Sequence, residues 1–205
     1  MKEKQLVESD YAVCTMHHIL TEIRQCRVCE NYIVPNPVVS ISSQSKIIVI
    51  GQAPGRIVHE TGIPWNDKSG DNLRLWLQVD KPTFYDNTIF GIMPMGFCFP
   101  GTGKSGDLPP RLECAPLWHD KLLAQVEQVR LTLLIGQFAQ AYYLKQQTKE
   151  TLTETVKHFA TYLPQYFVLP HPSPRNNIWM AKNKWFQEAV LPVLRSHVAN
   201  IVQGN

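Results

Sequence analysis

The chain has 205 residues, a formal net charge of +3 and a pI of about 8.6, with 44% hydrophobic and 18% charged residues. This length suits one α/β domain with a single core, and the apolar and charged fractions are ordinary for a folded protein. The charge is too mild to indicate a nucleic-acid partner by itself, and no run of about 18 apolar residues predicts a membrane span.

The N-terminal segment, MKEKQLVESDY, is polar and lacks the apolar stretch of a signal peptide. We therefore expect a single cytoplasmic domain over residues 1–205 that acts as a monomer and does not bind membranes. Thiols stay reduced in the cytosol. The five cysteines are thus interpreted as metal ligands, catalytic groups or core fillers, and not as disulfides.

Helical and strand patterns alternate along the chain. Apolar residues at helical spacing, beginning with Met16 and Ile19, predict a first helix over 11–25. Buried strands are predicted from the apolar runs at 46–51, 88–95, 130–136 and 166–171. Further helices are predicted at 69–78, 111–128, 137–146, 151–160 and 180–203. This alternation predicts an α/β fold, a three-layer αβα sandwich around a four-stranded parallel sheet.

Ligands of open α/β sheets bind at the carboxyl ends of the strands. The loop GQAPG (51–55) follows the first predicted strand, and TGIPW (61–65) comes soon after it. Its glycines let backbone approach a ligand closely, its prolines stiffen the loop, and Trp65 offers a flat surface on which a base can stack. The plainer alternative is a turn with a core tryptophan.

The sequence HPSPRN (171–176) follows the last predicted strand. Two prolines fix His171 at the strand tip, where a rigid donor can stabilise an anion that develops on a leaving group. Arg175 is a candidate phosphate contact. The alternative is a helix-initiating turn in which Ser173 or Asn176 acts as the cap.

GQAPG after the first strand and HPSPRN after the last resemble the two active-site motifs of uracil-DNA glycosylases, in the same order. HPSPRN is most similar to the single-strand-selective monofunctional branch. The resemblance implies a DNA glycosylase that hydrolyses the N-glycosidic bond of a flipped uracil or other deaminated base. The catalytic residues it implies are Gln52 and His171, and we add Asp67. The implied substrate-binding residues are Gly51, Ala53, Pro54, Gly55, Trp65, Ser173, Arg175 and Asn176.

The chain departs from those families at the groups that activate water and read the base. Gln52 replaces a glutamate of the iron–sulfur glycosylases of family 4, a second branch that the chain resembles through the cysteines described below. Ala53 replaces the water-positioning asparagine of the single-strand-selective branch. The 88–95 strand also lacks the asparagine that reads uracil, so Asp67 is our candidate substitute for the water-activating group. A non-catalytic module that binds DNA or a modified base is therefore the alternative function. A glycosidase of free nucleosides is a third reading, which Arg175 disfavours.

The cysteines form two pairs. Cys26 and Cys29 have the CxxC spacing of a ligand pair, while Cys98 and Cys114 flank a loop rich in proline and glycine. Four thiolates suit a [4Fe–4S] cluster or, alternatively, tetrahedral zinc. The spacing resembles the iron–sulfur glycosylases of family 4, which implies a structural cluster beside the DNA-binding surface. Scattered buried thiols are the other interpretation, and Cys14 is expected to be a core thiol.

Residues 98–105 nearly match a phosphate-binding loop, but Cys98 stands where the first glycine belongs. Pro109 and Pro110 follow where the helix of such a loop should begin, which argues against nucleotide hydrolysis. We interpret this stretch as a flexible loop in which Lys104 and Arg111 contact a DNA backbone.

Overall fold

The structure is a computed structural model that describes residues 15–104 and 106–204. Cys14 and the predicted start of the first helix lie outside the described residues. In chain order the strands are β1 (Ile47–Ile50), β2 (Phe90–Ile92), β3 (Thr102–Gly103), β4 (Gly106–Asp107), β5 (Leu131–Ile135) and β6 (Tyr166–Leu169).

The helices divide between the two faces of the sheet. In chain order they are α1 (15–24), α2 (Arg56–Thr61), α3 (Lys68–Leu77), α4 (Lys81–Tyr85), α5 (Asp120–Leu123), α6 (Gln137–Leu144), α7 (Leu152–Lys157), α8 (Asn177–Lys182) and α9 (Leu191–Val202). Two π-helical segments, Ala115–His119 and Phe186–Val190, lead into α5 and α9.

The main sheet has four strands in the order β2-β1-β5-β6, and every pair of neighbours is parallel. Alternate strand residues point to opposite faces. Val49 and Leu133 pack in one core with α3 and α9, whereas Ile50 and Leu134 pack in a second core with α1 and α6. The predicted three-layer sandwich around a four-stranded parallel sheet is thus confirmed.

The structure differs from the predicted elements at several boundaries. The segment read as a flexible loop contains an antiparallel hairpin, β3–β4, in which Thr102 pairs with Asp107. The predicted helix over 111–128 is helical only from Cys114 to Leu123. Asn183 interrupts the predicted final helix, and its side chain donates to the carbonyl of Trp179 at 2.8 Å.

Two short helices, α2 and α4, have no counterpart in the predicted elements. For α4 a local signal exists, because the Asp80 side chain caps its first turn by accepting from the Thr83 N–H at 2.9 Å. Among the described residues, no helix combines the length and apolar character needed to cross a membrane.

A fully buried histidine links the loop after β2 to α6. His119 lies between the rings of Phe97 and Tyr143, with Nε2 3.1 Å from the carbonyl oxygen of Pro94. A carbonyl only accepts, so Nε2 carries the proton and Nδ1 accepts from the Tyr143 hydroxyl at 2.7 Å. Burial lowers the pKa of His119 to about 4, since a charged ring would lose its hydration there.

This burial predicts an acid-sensitive fold. The folded pKa of His119 lies below the unfolded value of 6.5, so its contribution is complete above pH 6.5 and is lost as the pH falls toward 4. We expect it to remove about 2–3 kcal/mol from the free energy of unfolding between pH 7 and pH 4.5. Urea unfolding at both pH values should show a smaller acid loss in His119→Gln than in the wild type, and equal losses would contradict this assignment.

Candidate functional site

A pocket of about 260 Å³ opens at the carboxyl ends of β1 and β6. This is at the small end of ligand sites, which suits a compact planar group. Of the predicted catalytic and substrate-binding residues, those that line it are Gly51, Gln52, Ala53, Pro54, Gly55, Trp65, Asp67, His171, Ser173 and Arg175. The remaining lining residues were not among the predicted site residues: Val38, Val58, Pro64, Ser69, Ile92, Pro94 and Asp107.

Trp65 forms one wall of the pocket in an unusual backbone conformation. Its φ of 55° lies in the left-handed region, which is costly for a bulky residue. Two glycines make room for it. A Cβ atom at Gly51 would lie 2.7 Å from Cζ2 of the indole, and a Cβ atom at Gly70 would overlap the Trp65 carbonyl oxygen. Gly51 is therefore needed here as a packing surface for the indole.

Arg74 of α3 holds this conformation from behind. Its guanidinium is almost fully buried and donates to the Trp65 carbonyl oxygen at 3.2 Å. The same guanidinium donates to Asp71 at 2.7 Å and to the Tyr85 hydroxyl at 3.3 Å. These contacts compensate the buried charge and tie the tryptophan to α3.

His171 lies at the tip of β6, with its ring centroid 5.7 Å from that of Trp65 and the two planes 32° apart. Side-chain amides fix its backbone: Asn176 donates to the His171 carbonyl at 2.6 Å, and Asn72 donates to the Pro172 carbonyl at 2.9 Å. Asn176 lies outside the pocket lining, so the structure places it as a brace of the turn.

The protonation state of His171 follows from its surroundings. Burial lowers its pKa, and the negative charges of Asp67 and Asp107 oppose that effect only in part. The ring is therefore mainly neutral near pH 7, with one N–H to donate into the pocket. Its action on an anion would come from a fixed dipole and not from a full positive charge.

Asp67 has two roles in the local structure. Its Oδ1 accepts from the Gly70 N–H at 2.8 Å, which caps the N-terminus of α3. Its Oδ2 lies on the pocket side, 3.8 Å from the position of a Cβ atom at Gly55. The cap therefore holds the carboxylate in one orientation while leaving an oxygen for the pocket.

The β3–β4 hairpin borders the mouth of the pocket. Gln52 Nε2 donates to the Leu108 carbonyl at 3.3 Å, just beyond β4. Arg175 packs against Gly106, where a Cβ atom would lie 2.5 Å from Nη1. These contacts position the hairpin so that Asp107 lines the pocket. The closely spaced glycines 103 and 106 are the local signal that could have predicted this turn.

The hairpin also shows that residues 98–105 do not form a phosphate-binding loop. Lys104 lies in the turn between two strands, and no helix begins there. Arg111, which the sequence predicted to contact a DNA backbone, is paired with Glu113. Its guanidinium also stacks on the Tyr32 ring, 4.4 Å from the ring centroid. Its side chain is thus engaged within the protein, whereas Lys104 is exposed.

The four candidate ligand cysteines meet at one small cavity of about 20 Å³. Its lining includes Cys26, Cys29, Cys98 and Cys114, and Trp118 lies against the same cavity. Burial raises the pKa of Cys114 to about 12 and also raises the pKa values of Cys29 and Cys98. Within the part of the chain that the structure describes, no three His, Cys, Asp or Glu side chains are grouped as ligands of one metal ion.

The family model of the uracil DNA glycosylase superfamily matches residues 39–195. The match covers well over half of the chain and runs from just before β1 into α9. It includes both pocket loops, the hairpin and the Cys98–Cys114 pair. The pair Cys26 and Cys29 precedes the matched range.

The packing of Trp65 predicts a sharp intolerance at position 70. A methyl group at Gly70 would collide with the Trp65 carbonyl, so Gly70→Ala should lower the free energy of unfolding by about 3 kcal/mol or more. The matched control is Gly55→Ala, where the nearest atom to the added Cβ lies at 3.5 Å. Urea unfolding should show that control within about 1 kcal/mol of the wild type, and equal losses in both variants would contradict the collision.

Proposed function

The chain belongs to the uracil DNA glycosylase superfamily, and on that premise we propose that it hydrolyses the N-glycosidic bond of a uracil or other deaminated base flipped out of DNA. The single observation that carries the proposal is the pocket that Trp65 and His171 both line, which combines a flat aromatic side chain with a rigidly held donor. An extruded base needs both features, because it loses its stacking and acquires negative charge as it leaves.

The flipped base would stack on Trp65 within this pocket. The rigid backbone around the indole means that little ordering is required when the base binds. Gln52 presents an amide beside the same pocket, with its nitrogen engaged at Leu108. Its oxygen is the group we assign to accept an N–H from the edge of the base.

His171 would stabilise the departing base. As the C1′–N bond lengthens, the sugar gains oxocarbenium character and the base becomes anionic. A neutral imidazole, on a backbone that Asn176 braces at the His171 carbonyl, would donate to that anion with little reorganisation. Asp67 is the proposed carboxylate on the sugar side, where its Oδ2 would stabilise the positive charge that develops at C1′.

DNA contacts are assigned to the rim of the pocket. Ser173 lines the pocket, and Arg175 is exposed beside it on the turn after β6. Cationic and hydroxyl side chains at that position suit phosphate oxygens, which position the strand without reading its sequence. The exposed Lys104 on the hairpin extends the same rim.

We further propose that the four cysteines hold a [4Fe–4S] cluster. Each cysteine of such a cluster binds a different iron, so the thiolates stand further apart than around one zinc ion, the alternative. Four thiols line one cavity, and this shared lining supports a common metal group. Trp118 lines the same cavity, and its buried N–H has no acceptor among the described residues. A cluster sulfur would supply one. The cluster would contribute stability by joining α1 to the hairpin segment.

A non-catalytic module that binds DNA or a modified base is the second candidate. It is favoured by the GQAPG loop, which carries no carboxylate, and by Pro94 lining the pocket where β2 ends, a residue without a side-chain hydrogen-bonding group. The two candidates differ in one measurement. Purified protein is incubated with oligonucleotides that contain uracil, hypoxanthine or xanthine, and abasic sites are then cleaved with alkali. Strand cleavage supports the glycosylase, and binding without cleavage supports the module.

Replacing His171 tests the proposed chemistry. His171→Ala should slow single-turnover cleavage by about 10²–10³-fold, the usual loss for one preorganised donor, while DNA affinity stays nearly unchanged. The control is His18→Ala, an exposed histidine on α1, which should cleave at the wild-type rate. A His171→Ala protein as fast as the wild type would refute the assigned role.

Replacing one cysteine tests the cluster. Anaerobically purified wild-type protein should be brown and contain iron, and Cys29→Ser should lose iron and unfold at a lower temperature because metal binding is coupled to folding. Cys14→Ser provides the control, since it removes the fifth cysteine, and it should retain the iron. Wild-type protein without iron or zinc by elemental analysis would exclude both forms of the proposed site.

A further inference from the structure

Two carboxylates line the pocket among the described residues, Asp67 and Asp107. Their Oδ2 atoms approach the same point from two different elements: they lie 3.8 and 3.5 Å from the position of a Cβ atom at Gly55. Asp67 comes from the start of α3, and Asp107 comes from the hairpin. Both contribute to the electrostatic environment of His171.

The two carboxylates differ in what already binds them. One oxygen of Asp67 accepts the Gly70 N–H and caps α3. The Asp107 carboxylate accepts no hydrogen bond and forms no ion pair within the ranges 15–104 and 106–204, although its backbone pairs with Thr102 in the hairpin. It is also exposed at the mouth of the pocket, so both of its oxygens can bind water.

The hairpin has a defined position, and this gives the Asp107 carboxylate a defined place. The Leu108 carbonyl accepts from the Gln52 amide, and the Leu108 N–H donates to the Gly101 carbonyl at 2.9 Å. On the other side Arg175 packs against Gly106. Asp107 thus stands beside the GQAPG loop, which carries an amide and no carboxylate of its own.

We propose that Asp107 positions the water that attacks C1′ and takes a proton from it. This role rests on the proposed glycosylase function. As the water oxygen bonds to C1′, one water proton moves to the Asp107 carboxylate, and the C1′–N bond breaks with its electron pair leaving on the base. His171 donates a hydrogen bond to that anion, which is then protonated from solvent, while Asp107 releases its proton. The water-activating role that the sequence suggested for Asp67 is thus assigned to Asp107, and Asp67 is the fixed charge that faces the sugar.

Asp107→Asn removes the base while keeping the shape of the side chain. On the oligonucleotide that the wild type cleaves, single-turnover cleavage should fall by about 10²-fold or more, within the range for general-base catalysis. Binding of the oligonucleotide should stay unchanged or tighten, since a negative charge is lost beside the strand. Asp120→Asn, an exposed aspartate on α5 outside the pocket, is the matched control and should retain the wild-type rate.

A second variant separates chemistry from structure. Asp107→Ala should be slow in ordinary buffer and should regain cleavage when formate is added, because a small carboxylate can occupy the vacated place and accept the proton. A purely structural role would not respond to formate, so loss of activity without rescue would overturn the proposal, as would a wild-type rate in Asp107→Asn. If the wild type itself releases none of the bases while still binding DNA, the glycosylase function fails, and the role of Asp107 fails with it.

Discussion

The left-handed backbone at Trp65 is the constraint on which the pocket depends. Such a conformation costs a bulky residue about 1–3 kcal/mol and persists only where the surroundings enforce it. Three groups enforce it here: Gly51 under the indole, Gly70 against the carbonyl, and the buried Arg74 that binds the same carbonyl. The tryptophan is therefore presented to a ligand in one orientation, and the end of β1 is joined to the start of α3 through it.

The remaining walls come from segments that meet only in the folded chain. The turn after β6 brings His171, and the hairpin between Cys98 and Cys114 brings Asp107. The hairpin contacts the two pocket loops through Gln52 and Arg175. A cluster bound by the four cysteines would hold both ends of the segment that carries the hairpin. Loss of the cluster would then be expected to change the position of Asp107 in the pocket.

The charges in the pocket suit a reaction that separates charge. A mainly neutral imidazole and two carboxylates line the same pocket, with both carboxylates near Gly55. In the proposed reaction the imidazole would face the departing base and the carboxylates would face the sugar. Each is supported differently: His171 by amide braces on its turn, Asp67 by capping α3, and Asp107 by the hairpin. These side chains are already ordered in the folded protein, so they need not reorganise during the reaction step.

The sequence by itself determined the layers of the fold and the location of the site. Strands buried on both faces must be continuously apolar, so runs such as 46–51 and 130–136 predict them directly, and parallel strands bring GQAPG and HPSPRN to the same edge. Only the tertiary structure decided that Asp107 lies in the pocket, that Gly70 accommodates Trp65 and that Asn176 braces the turn instead of lining the site. These placements depend on how the hairpin and α3 dock against distant loops, and docking between segments leaves no periodic pattern in the chain.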